Sequence, residues 1–308
     1  MGRPAKHRGK LHLRAERAFG LESVRKPRGN ANNEAAPIEA EPMSAQEPRV
    51  DSPGRVDRAD VPPARQLSRE PATTKPSPEA LFGATANPNA PVAPPDLAAL
   101  PPFDAPVLPR GQKLSVLAAM DETEVKACPR CRLCETRTHT VFGEGDVDAK
   151  IFFVGEAPGE NEDLTGRPFV GKAGQLLDKM IGAMGLAREQ VYIANTVKCR
   201  PPGNRVPMPD ETAACTPYLA RQLEVVRPAV IVTLGLPAAK FMLGDPKLTM
   251  GRTRGQWRAW RGIPLMPTYH PSYVLRTYTD ETRAAVWSDL QQVMGRVGLA
   301  APKKSKGA

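Results

Sequence analysis

The feature that most constrains how this chain can fold is a short apolar run, Ile-Phe-Phe-Val at 151–154, that leads directly into Gly-Glu-Ala-Pro-Gly at 155–159. A second glycine-flanked segment, Gly-Arg-Pro-Phe-Val-Gly, follows at 166–171. An apolar run of this length is typical of a buried strand. Parallel α/β folds place ligand sites beyond such strands, at glycine-rich turns that lead into a helix. The stretch therefore predicts an α/β fold with a ligand site at the end of this strand.

Composition divides the 308 residues into two unequal parts. All 5 Tyr, all 3 Trp and all 5 Cys lie after residue 110, whereas 19 of the 34 Pro lie at or before it. A segment so poor in aromatic residues cannot bury enough apolar surface to offset the entropy of ordering. We therefore expect a disordered Pro/Ala-rich N-terminal region at 1–110, one folded domain at 111–298 with a complete core, and a basic disordered tail at 299–308.

The formal net charge is +10, and the first 110 residues contribute +3 of it, from 16 Lys/Arg and 13 Asp/Glu. The remainder is mildly basic, which is consistent with a polyanionic partner. No apolar stretch is long enough to span a membrane, and no secretory signal follows the basic start. We expect an intracellular monomer. In a reducing compartment, five Cys fit metal or cluster ligation better than disulfides.

Apolar runs and helical patterns alternate along the folded domain. Runs with the length of buried strands lie at 151–154, 191–194, 230–234 and 263–266. Helical patterns lie at 172–184, 209–226, 236–242 and 281–297, and a shorter one runs from Leu114 toward Lys126. This alternation predicts a three-layer α/β/α sandwich around a central parallel sheet, covered by helices on both faces.

Polar residues of three different types stand just beyond three of the predicted strands. Glu156 follows the first strand, Asn195 the second and His270 the fourth. The carboxyl ends of parallel strands meet at one edge of the sheet, so these three side chains should share one site. Taken singly, each could be an ordinary loop residue, but their equivalent positions predict a common site.

The cysteines suggest a metal centre. Cys128 and Cys131 form a C-x2-C pair, and Cys199 and Cys215 lie much further along the chain. A zinc ribbon would normally supply a second close pair, which this chain lacks. Spacing alone leaves zinc and an iron–sulfur cluster nearly equal. Cys134 adds an ambiguity, because it also forms a C-x2-C pair with Cys131.

Four longer motifs occur in a fixed order along the folded domain. They are Gly-Glu-Ala-Pro-Gly-Glu-Asn-Glu-Asp at 155–163, Gly-Arg-Pro-Phe-Val-Gly-Lys-Ala-Gly at 166–174, Asn-Thr-Val-Lys-Cys-Arg-Pro-Pro at 195–202 and His-Pro-Ser-Tyr at 270–273. Together they resemble the family 4 uracil-DNA glycosylases, the iron–sulfur branch of the uracil-DNA glycosylase superfamily, across 111–298. The N-terminal region has no part in the resemblance.

The resemblance implies a four-stranded parallel sheet between helices. It also implies hydrolysis of the bond between uracil and deoxyribose in single- or double-stranded DNA, which releases uracil and leaves an abasic site. A base inside a duplex must be flipped into a pocket first, at a cost of a few kcal/mol. The N-terminal tail is then a candidate binding segment for a repair-protein partner.

The resemblance also implies roles for individual residues. Phe169 would stack on the flipped base, and the amide of Asn195 would match the O4 and N3–H edge of uracil. His270 would donate a hydrogen bond to uracil O2 as negative charge accumulates on the departing ring. Glu156 would either orient the attacking water or stabilise the cationic sugar. The backbone at Ala157 would approach the base or a phosphate closely.

Residues 271–276 resemble the family's intercalation loop. An apolar or Arg side chain from this loop would fill the space that the flipped base leaves. Leu275 and Arg276 are the favoured pair, and Tyr273 is a further candidate DNA contact. The other reading is an ordinary connection between a strand and a helix.

The resemblance favours a [4Fe–4S] cluster over zinc. The implied ligands are Cys128, Cys131, Cys199 and Cys215, with Cys134 as an alternative in the first pair. A structural role is expected, since hydrolysis of an N-glycosidic bond needs no electron transfer. The cluster would fix the 195–215 loop so that its cations, Lys198, Arg200 and Arg205, contact DNA phosphates.

Three rival functions remain: a noncatalytic DNA-binding or polymerase-associated module of the same fold, a glycosylase branch with wider base preference, and a zinc-dependent nuclease or hydrolase. The intact set of Glu156, Phe169, Asn195 and His270 favours an enzyme, because DNA binding alone needs no uracil-shaped pocket. Glu156 directly after Gly155, with Asn195 after the second strand, favours the uracil-selective branch. No group of His, Asp and Glu has the spacing of a catalytic metal site.

Overall fold

The computed structural model describes residue 103 and residues 106–300. The disorder expected at 1–110 and 299–308 therefore lies almost entirely outside the described residues. The first helix, α1, spans Arg110–Met120 and continues through a wider turn at Asp121–Val125. None of the helices in the described part of the chain is long and apolar enough to cross a membrane.

The centre of the fold is a six-stranded sheet with the strand order β1-β3-β2-β4-β6-β5. The strands are β1 at Glu144–Gly145, β2 at Ile151–Gly155, β3 at Tyr192–Asn195, β4 at Val230–Leu234, β5 at Arg258–Trp260 and β6 at Ile263–Thr268. The pairings β3-β2, β2-β4 and β4-β6 are parallel, so the predicted four-stranded parallel core is confirmed.

The four-strand prediction is wrong at both edges, where β1 and β5 add short antiparallel strands. β1 has 2 residues and β5 has 3, so neither contains an apolar run that a sequence pattern could detect. The tight turn from β5 to β6 has positive φ at Arg261 (46°) and Gly262 (82°), as expected for a two-residue hairpin turn.

Helices cover both faces of the sheet, which confirms the three-layer α/β/α sandwich. The remaining helices are α2 at Glu160–Thr165, α3 at Lys172–Ala183, α4 at Pro209–Val226, α5 at Leu236–Leu243, α6 at Met250–Thr253, α7 at Pro271–Thr277 and α8 at Asp280–Arg296. Short 3-10 turns occur at Arg132–Glu135, Arg188–Gln190 and Pro202–Asn204. The predicted helices α3, α4, α5 and α8 agree with the structure to within one residue at each end.

Alternate residues of each central strand pack into opposite halves of the core. In β2, Phe152 and Val154 belong to the half formed with α1, α4 and α5, whereas Ile151 and Phe153 belong to the half formed with α3, α7 and α8. All five residues of β2 are buried. Burying one such side chain contributes about 1.5–3 kcal/mol, so the sheet provides a rigid base for the loops at its ends.

The segment at 271–276, expected as a loop, is helix α7 instead. His270 is its N-cap residue, and Pro271 occupies the first helical position, where its missing N–H costs nothing. The helix ends where Tyr278 adopts a left-handed conformation with φ of 35°. This short helix follows directly on β6, so its surface residues are carried by a packed element.

Candidate active site and cysteine cavity

The ends of β2 and β3 lie side by side and bring two predicted site residues to one edge. Gly155 is the register partner of Asn195, and the Thr196 N–H donates to the Gly155 carbonyl over 3.0 Å. The carbonyl of Glu156 accepts a hydrogen bond from the Val197 N–H over 3.3 Å. Glu156 and Asn195 therefore emerge at the same edge of the sheet.

Gly155 lies beneath the side chains of Phe169 and Asn195. A Cβ atom at position 155 would lie 2.2 Å from the Asn195 Oδ1 and 2.5 Å from the Phe169 Cζ. Both distances are far below van der Waals contact, so no other residue fits here without displacing the two side chains. The absence of a side chain at 155 thus lets an aromatic ring and an amide meet at one point.

Asn195 is the most unusual polar residue of the site. Its side chain is 1% exposed, and neither its Oδ1 nor its Nδ2 has a hydrogen-bond partner among the described residues. Leaving a buried polar group unpaired costs about 1–3 kcal/mol. A buried amide without partners, beside an aromatic ring, is arranged to bind a planar ligand with its own donor and acceptor.

Phe169 is buried and adopts a strained backbone conformation with φ of 51°. A left-handed conformation is unfavourable for a bulky residue and is often found at functional sites. Its ring centroid lies 5.7 Å from that of His270, with an interplanar angle of 33°. Phe169 thus lies close to residues from two strands of the parallel core, Gly155 at the end of β2 and His270 just after β6.

The imidazole of His270 is held in a defined tautomer. Its Nδ1 accepts a hydrogen bond from the Ser272 backbone N–H over 3.1 Å and lies 2.8 Å from the Ser272 Oγ. Because a backbone N–H can only donate, Nδ1 carries no proton, and the proton of the neutral ring lies on Nε2. Burial, together with the nearby charge of Arg276, lowers the pKa of His270 to about 4. His270 is therefore a neutral hydrogen-bond donor at physiological pH.

Glu156 and Ala157 line the rim, and both are half-buried. Burial raises the pKa of Glu156 above its ordinary value of 4.5. The raised pKa means that the carboxylate is only partly solvated, so its charge acts more strongly on its surroundings than a surface charge would. The structure thus brings Glu156, Ala157, Phe169, Asn195 and His270 to one side of the sheet.

The second functional feature is a small, partly open cavity on the α4 side of the sheet. Four cysteines line it, namely Cys128, Cys131, Cys199 and Cys215. Cys134 is not among its lining residues. The four sulfur atoms come from the 128–131 turn, the segment after β3 and helix α4. The cavity thus joins three parts of the chain that are distant in sequence.

Hydrogen-bond donors point at three of these sulfur atoms. The Arg137 guanidinium donates to the Cys199 Sγ over 3.2 Å, and the Lys198 backbone N–H donates to the Cys215 Sγ over 3.2 Å. The Tyr218 hydroxyl donates to the Cys128 Sγ over 3.3 Å. Donors of this kind stabilise negatively charged sulfur, as in metal-bound thiolates.

At Cys131, Cys199 and Cys215, burial raises the pKa and so favours the protonated thiol over the thiolate. Burial raises the pKa of Cys131 to about 11 and that of Cys215 to about 12. Within 106–300, no three His, Cys, Asp or Glu side chains are grouped tightly enough to hold a single metal ion. Four sulfur atoms arranged around a cavity could instead hold a polynuclear cluster, whose positive metal ions would displace the thiol protons.

Lys198 is not a DNA contact, so that prediction is wrong. Its side chain is 1% exposed, and its ammonium donates to the Asn195 carbonyl over 2.9 Å and to the Gln222 Oε1 over 2.6 Å. Burial lowers its pKa to about 8. Lys198 therefore faces inward and holds the end of β3 against α4.

The other two predicted cations of this loop differ from each other. Arg205 makes two hydrogen bonds of 2.8 and 2.6 Å to the carboxylate of Glu211, so its charge is already paired. Arg200 has a side chain that is 24% exposed and donates to the Asn204 Oδ1 over 2.8 Å. Arg200 also forms a longer ion pair of 3.8 Å with Glu160. Because its pairing with a carboxylate is looser than that of Arg205, Arg200 is the better candidate phosphate contact.

Helix α7 presents the predicted intercalating residues at the surface. Tyr273 and Leu275 are 39% and 37% exposed, respectively, and Arg276 is also exposed. Tyr273 stacks on Tyr269 with ring centroids 4.9 Å apart, and the Arg276 guanidinium donates to the Ser272 Oγ over 3.3 Å. These exposed residues of α7 therefore lie three to six positions after its N-cap residue, His270.

Sequence reasoning missed several residues that shape the site. Ser272 fixes the His270 tautomer, and Gln222 connects Lys198 to the Phe142 carbonyl. Ser272 lies inside the 270–273 motif, so its position was an available signal. Gln222 lies in the last turns of α4 and contacts residues far away in sequence, so no local pattern could have identified it.

Comparison with known proteins places the chain in one family. Residues 142–291 match the family model of the uracil DNA glycosylase superfamily. The type-4 uracil-DNA glycosylase of Thermotoga maritima is 48% identical over 169 residues, which is 54% of this chain and 88% of that protein. Those of Saccharolobus solfataricus and Sulfurisphaera tokodaii are 45% and 46% identical over 178 residues, or 55% of this chain and 82% and 80% of those proteins. The chain therefore belongs to the type-4 branch of the uracil-DNA glycosylase superfamily.

Proposed function

We propose that this chain is a uracil-DNA glycosylase that hydrolyses the bond between uracil and deoxyribose, releasing free uracil and leaving an abasic site in DNA. One observation carries the proposal: the buried amide of Asn195 has no partner among the described residues and lies beside the ring of Phe169. The similarity to type-4 uracil-DNA glycosylases supports the same reaction. DNA that contains uracil is therefore the substrate.

Base recognition in this proposal combines stacking with a matched hydrogen-bond pair. Phe169 stacks on the face of the flipped base, which buries its apolar surface. With its Nδ2 toward O4 and its Oδ1 toward N3–H, the Asn195 amide pairs with uracil. In the same orientation, cytosine would place an amino group against Nδ2 and a lone pair against Oδ1. The resulting unpaired buried groups make cytosine binding costly.

Bond cleavage leaves negative charge on the departing base, and His270 is the proposed donor that stabilises it. Its Nδ1 is occupied by the Ser272 N–H, so Nε2–H is the donor available to uracil O2. A preorganised donor of this kind commonly contributes about 3–4 kcal/mol to the reaction. Because His270 is neutral, it donates a hydrogen bond without the ground-state attraction that a charged imidazolium would exert on DNA phosphates.

Glu156 is the carboxylate proposed for the sugar side of the reaction. It either orients the attacking water or stabilises the cationic sugar, and its raised pKa is compatible with both roles. The Ala157 backbone follows directly and can approach the ligand closely, since the residue is small. Glu156 and His270 thus act on opposite charges, positive on the sugar and negative on the base.

The exposed face of α7 is proposed to fill the space left by the flipped nucleotide. Leu275 supplies an apolar side chain, and Arg276 and Tyr273 are exposed on the same short helix. Wedging an apolar side chain into the stack costs a few kcal/mol of unstacking, which the new protein contacts offset. Because His270 caps this helix, insertion of α7 and capture of the base are geometrically linked.

Four cysteines, Cys128, Cys131, Cys199 and Cys215, are proposed to hold a [4Fe–4S] cluster. They line one cavity, and three of them accept hydrogen bonds. When bound, the cluster supplies a cross-link among the 128–131 turn, β3 and α4. A structural role follows, because N-glycosidic hydrolysis transfers no electrons.

The first test is cleavage of a labelled oligonucleotide with a single deoxyuridine, followed by alkali to break abasic sites. A cytosine strand and the His270→Ala variant serve as controls. Uracil-dependent scission that the variant largely loses would support a glycosylase using this site. No scission by folded protein with its full iron content would instead favour a noncatalytic DNA-binding module.

A further inference from the structure

The turn that carries Phe169 is held on one side by the carboxylate of Glu162. Glu162 Oε1 accepts hydrogen bonds from the two amides that follow Phe169, Val170 N–H over 2.8 Å and Gly171 N–H over 2.9 Å. Its Oε2 accepts a third from the Gly159 N–H over 3.1 Å. One carboxylate thus connects the Gly159 turn after β2 to the Phe169 turn before α3.

The opposite side of the same turn is held by Arg188. Its guanidinium donates to the carbonyls of Pro168 and Phe169, the latter over 3.3 Å. Arg188 is itself fixed by ion pairs to Glu144 over 2.8 Å and to Asp178 over 2.6 Å, and its side chain is 14% exposed. A negative group therefore binds the N–H side of the turn, and a positive group binds its C=O side.

These contacts surround the backbone of Phe169, whose left-handed conformation is unfavourable without them. Phe169 has a φ of 51°, which a bulky residue rarely adopts. Helix α3 approaches so closely that a Cβ on Gly174 would lie 1.8 Å from the Phe169 carbonyl oxygen. Such sparsely populated conformations persist only where the surrounding structure determines them. Glu162 and Arg188 supply that determination through charge-assisted hydrogen bonds.

We propose that Glu162 and Arg188 are positioning residues for base recognition: they clamp the Phe169 turn so that its ring lies over Gly155, beside Asn195 and His270. Neither acts on the reacting atoms. The inference rests on the proposed function, since Phe169 must stack on a base for its position to affect activity. Misplacing such a group by about 1 Å can cost about a hundredfold in rate.

A purely local role for Glu162 does not account for all its contacts. Glu162 is the third residue of α2 and receives the Gly159 N–H as a capping-box residue would. That role uses only Oε2. The second oxygen is directed away from α2, to the backbone that follows Phe169. The difference gives a prediction: Glu162→Gln keeps one acceptor oxygen, whereas Glu162→Ala loses both.

The test is a double-mutant cycle on the full chain with its cluster, using a single-stranded deoxyuridine oligonucleotide. Glu162→Ala should lower kcat/KM about tenfold or more in the wild-type background, but less than about twofold in Phe169→Ala. Glu162→Gln should lower kcat/KM less than Glu162→Ala does. In the chain that keeps Phe169, most of the decrease caused by Glu162→Ala should appear as a higher KM. Arg188→Met should behave like Glu162→Ala. Glu189→Gln removes a charge from an exposed neighbour of Arg188 and is the matched control.

Equal losses in both backgrounds would overturn the inference, because Glu162 would then act independently of Phe169. If Glu162→Ala does not fold, the same cycle with Glu162→Gln tests the inference. We then expect kcat/KM to fall about threefold in the chain that keeps Phe169 and not at all in Phe169→Ala. A wild-type chain that releases no uracil would overturn the proposed function and this inference with it. An active wild type with additive losses would overturn the inference alone.

Discussion

The base pocket and the cysteine cavity lie at either end of one five-residue segment, 195–199, yet they differ in whether their polar groups have hydrogen-bond partners in the protein. At the pocket, the buried amide of Asn195 has no partner among the described residues. At the cavity, the sulfur atoms of Cys199 and Cys215 already accept hydrogen bonds. The first arrangement suits a ligand that enters and leaves. The second suits metal-bound thiolates, which such donors stabilise.

Lys198 joins the two regions physically. Its backbone N–H donates to the Cys215 Sγ, while its ammonium donates to the Asn195 carbonyl. The cavity therefore supports the strand end that carries the recognition amide. The comparison teaches that loss of the proposed cluster should affect the whole segment, whereas loss of a pocket residue should mainly affect catalysis.

The largest effect is expected from removal of a cavity cysteine. Cys199→Ser should lose most of the bound iron and about 4–5 kcal/mol or more of unfolding free energy, because metal binding contributes directly to folding. Iron content and thermal unfolding measure both. Cys134→Ser is the matched control, since Cys134 does not line the cavity. Full iron content in Cys199→Ser would contradict the assignment.

A pocket donor should instead affect chemistry without affecting the cavity. His270→Ala should lower kcat for uracil release about 10²–10³-fold, with iron content unchanged, because a preorganised donor to the leaving base is lost. Ser272→Ala should cause a much smaller decrease, since the Ser272 backbone N–H still donates to Nδ1. Single-turnover kinetics give the rate. A decrease below tenfold in His270→Ala would argue against leaving-group stabilisation.

Asn195→Asp should change base selection more than stability. The substitution replaces the Nδ2 donor with an acceptor, so we expect kcat/KM for uracil to decrease and the uracil-to-cytosine ratio to narrow by about tenfold or more. Competition between uracil- and cytosine-containing strands measures the ratio. Cytosine rejection as strong as in the wild type would remove Asn195 from base discrimination.

The pH dependence of the cleavage rate should distinguish the titration of Glu156 from that of His270. His270 has a pKa of about 4, so it stays neutral down to mildly acidic pH. The pKa of Glu156 lies above 4.5, so Glu156 protonates first as the pH falls. We expect a cleavage rate that is constant around neutral pH and declines on the acid side as Glu156 becomes protonated, before His270 does. Glu156→Gln should be slower but lack this decline. An unchanged decline in that variant would assign it to another group.

His270 also makes folding depend on pH. Its pKa is lowered from 6.5 to about 4 on folding, so the unfolded chain binds more protons between these values. The stabilising contribution of the neutral buried ring is complete above pH 6.5 and is lost as the pH falls toward 4. Unfolding curves of the wild type and His270→Ala should therefore differ more in pH slope below 6.5 than above it.

The smallest effect concerns the surface charges. Arg276→Ala should weaken duplex binding a few-fold and reduce the slope of log K against log salt by about 0.9, if the side chain contacts one phosphate. Lys198→Met should leave that slope unchanged, because the Lys198 ammonium is buried and donates to Asn195 and Gln222. A reduced slope in Lys198→Met would contradict the inward orientation of that side chain.

The sequence predicted the parallel core well because its four strands are continuous apolar runs, and the strand-end positions of Glu156, Asn195 and His270 follow from the topology. The edge strands could not be predicted, since pairing of two or three residues depends on a neighbour that is distant in the chain. Lys198 was misjudged for the same reason. Lys within Asn-Thr-Val-Lys-Cys is typical of a solvated cation, and its partner Gln222 lies 24 residues further on.

Local conformation was the other limit. Nothing in Gly-Arg-Pro-Phe-Val-Gly specifies that Phe169, in addition to Gly166, adopts a left-handed φ. The conformation is imposed by Glu162, Arg188 and the approach of Gly174, none of which is adjacent to Phe169 in sequence. Likewise, the tautomer of His270 depends on a cap that exists only because residues 271–277 form a helix.

Gly155 has an evolutionary consequence. Its Cα faces an amide oxygen and an aromatic ring so closely that one added methyl group would lie 2.2 Å from the first and 2.5 Å from the second. The exposed residues of α7 and the cysteines of the cavity lie on other elements. A single codon change at 155 could therefore block the pocket while keeping the proposed DNA-contacting surface. One added methyl group at position 155 could thus turn a repair enzyme of this design into a protein that binds damaged DNA without processing it.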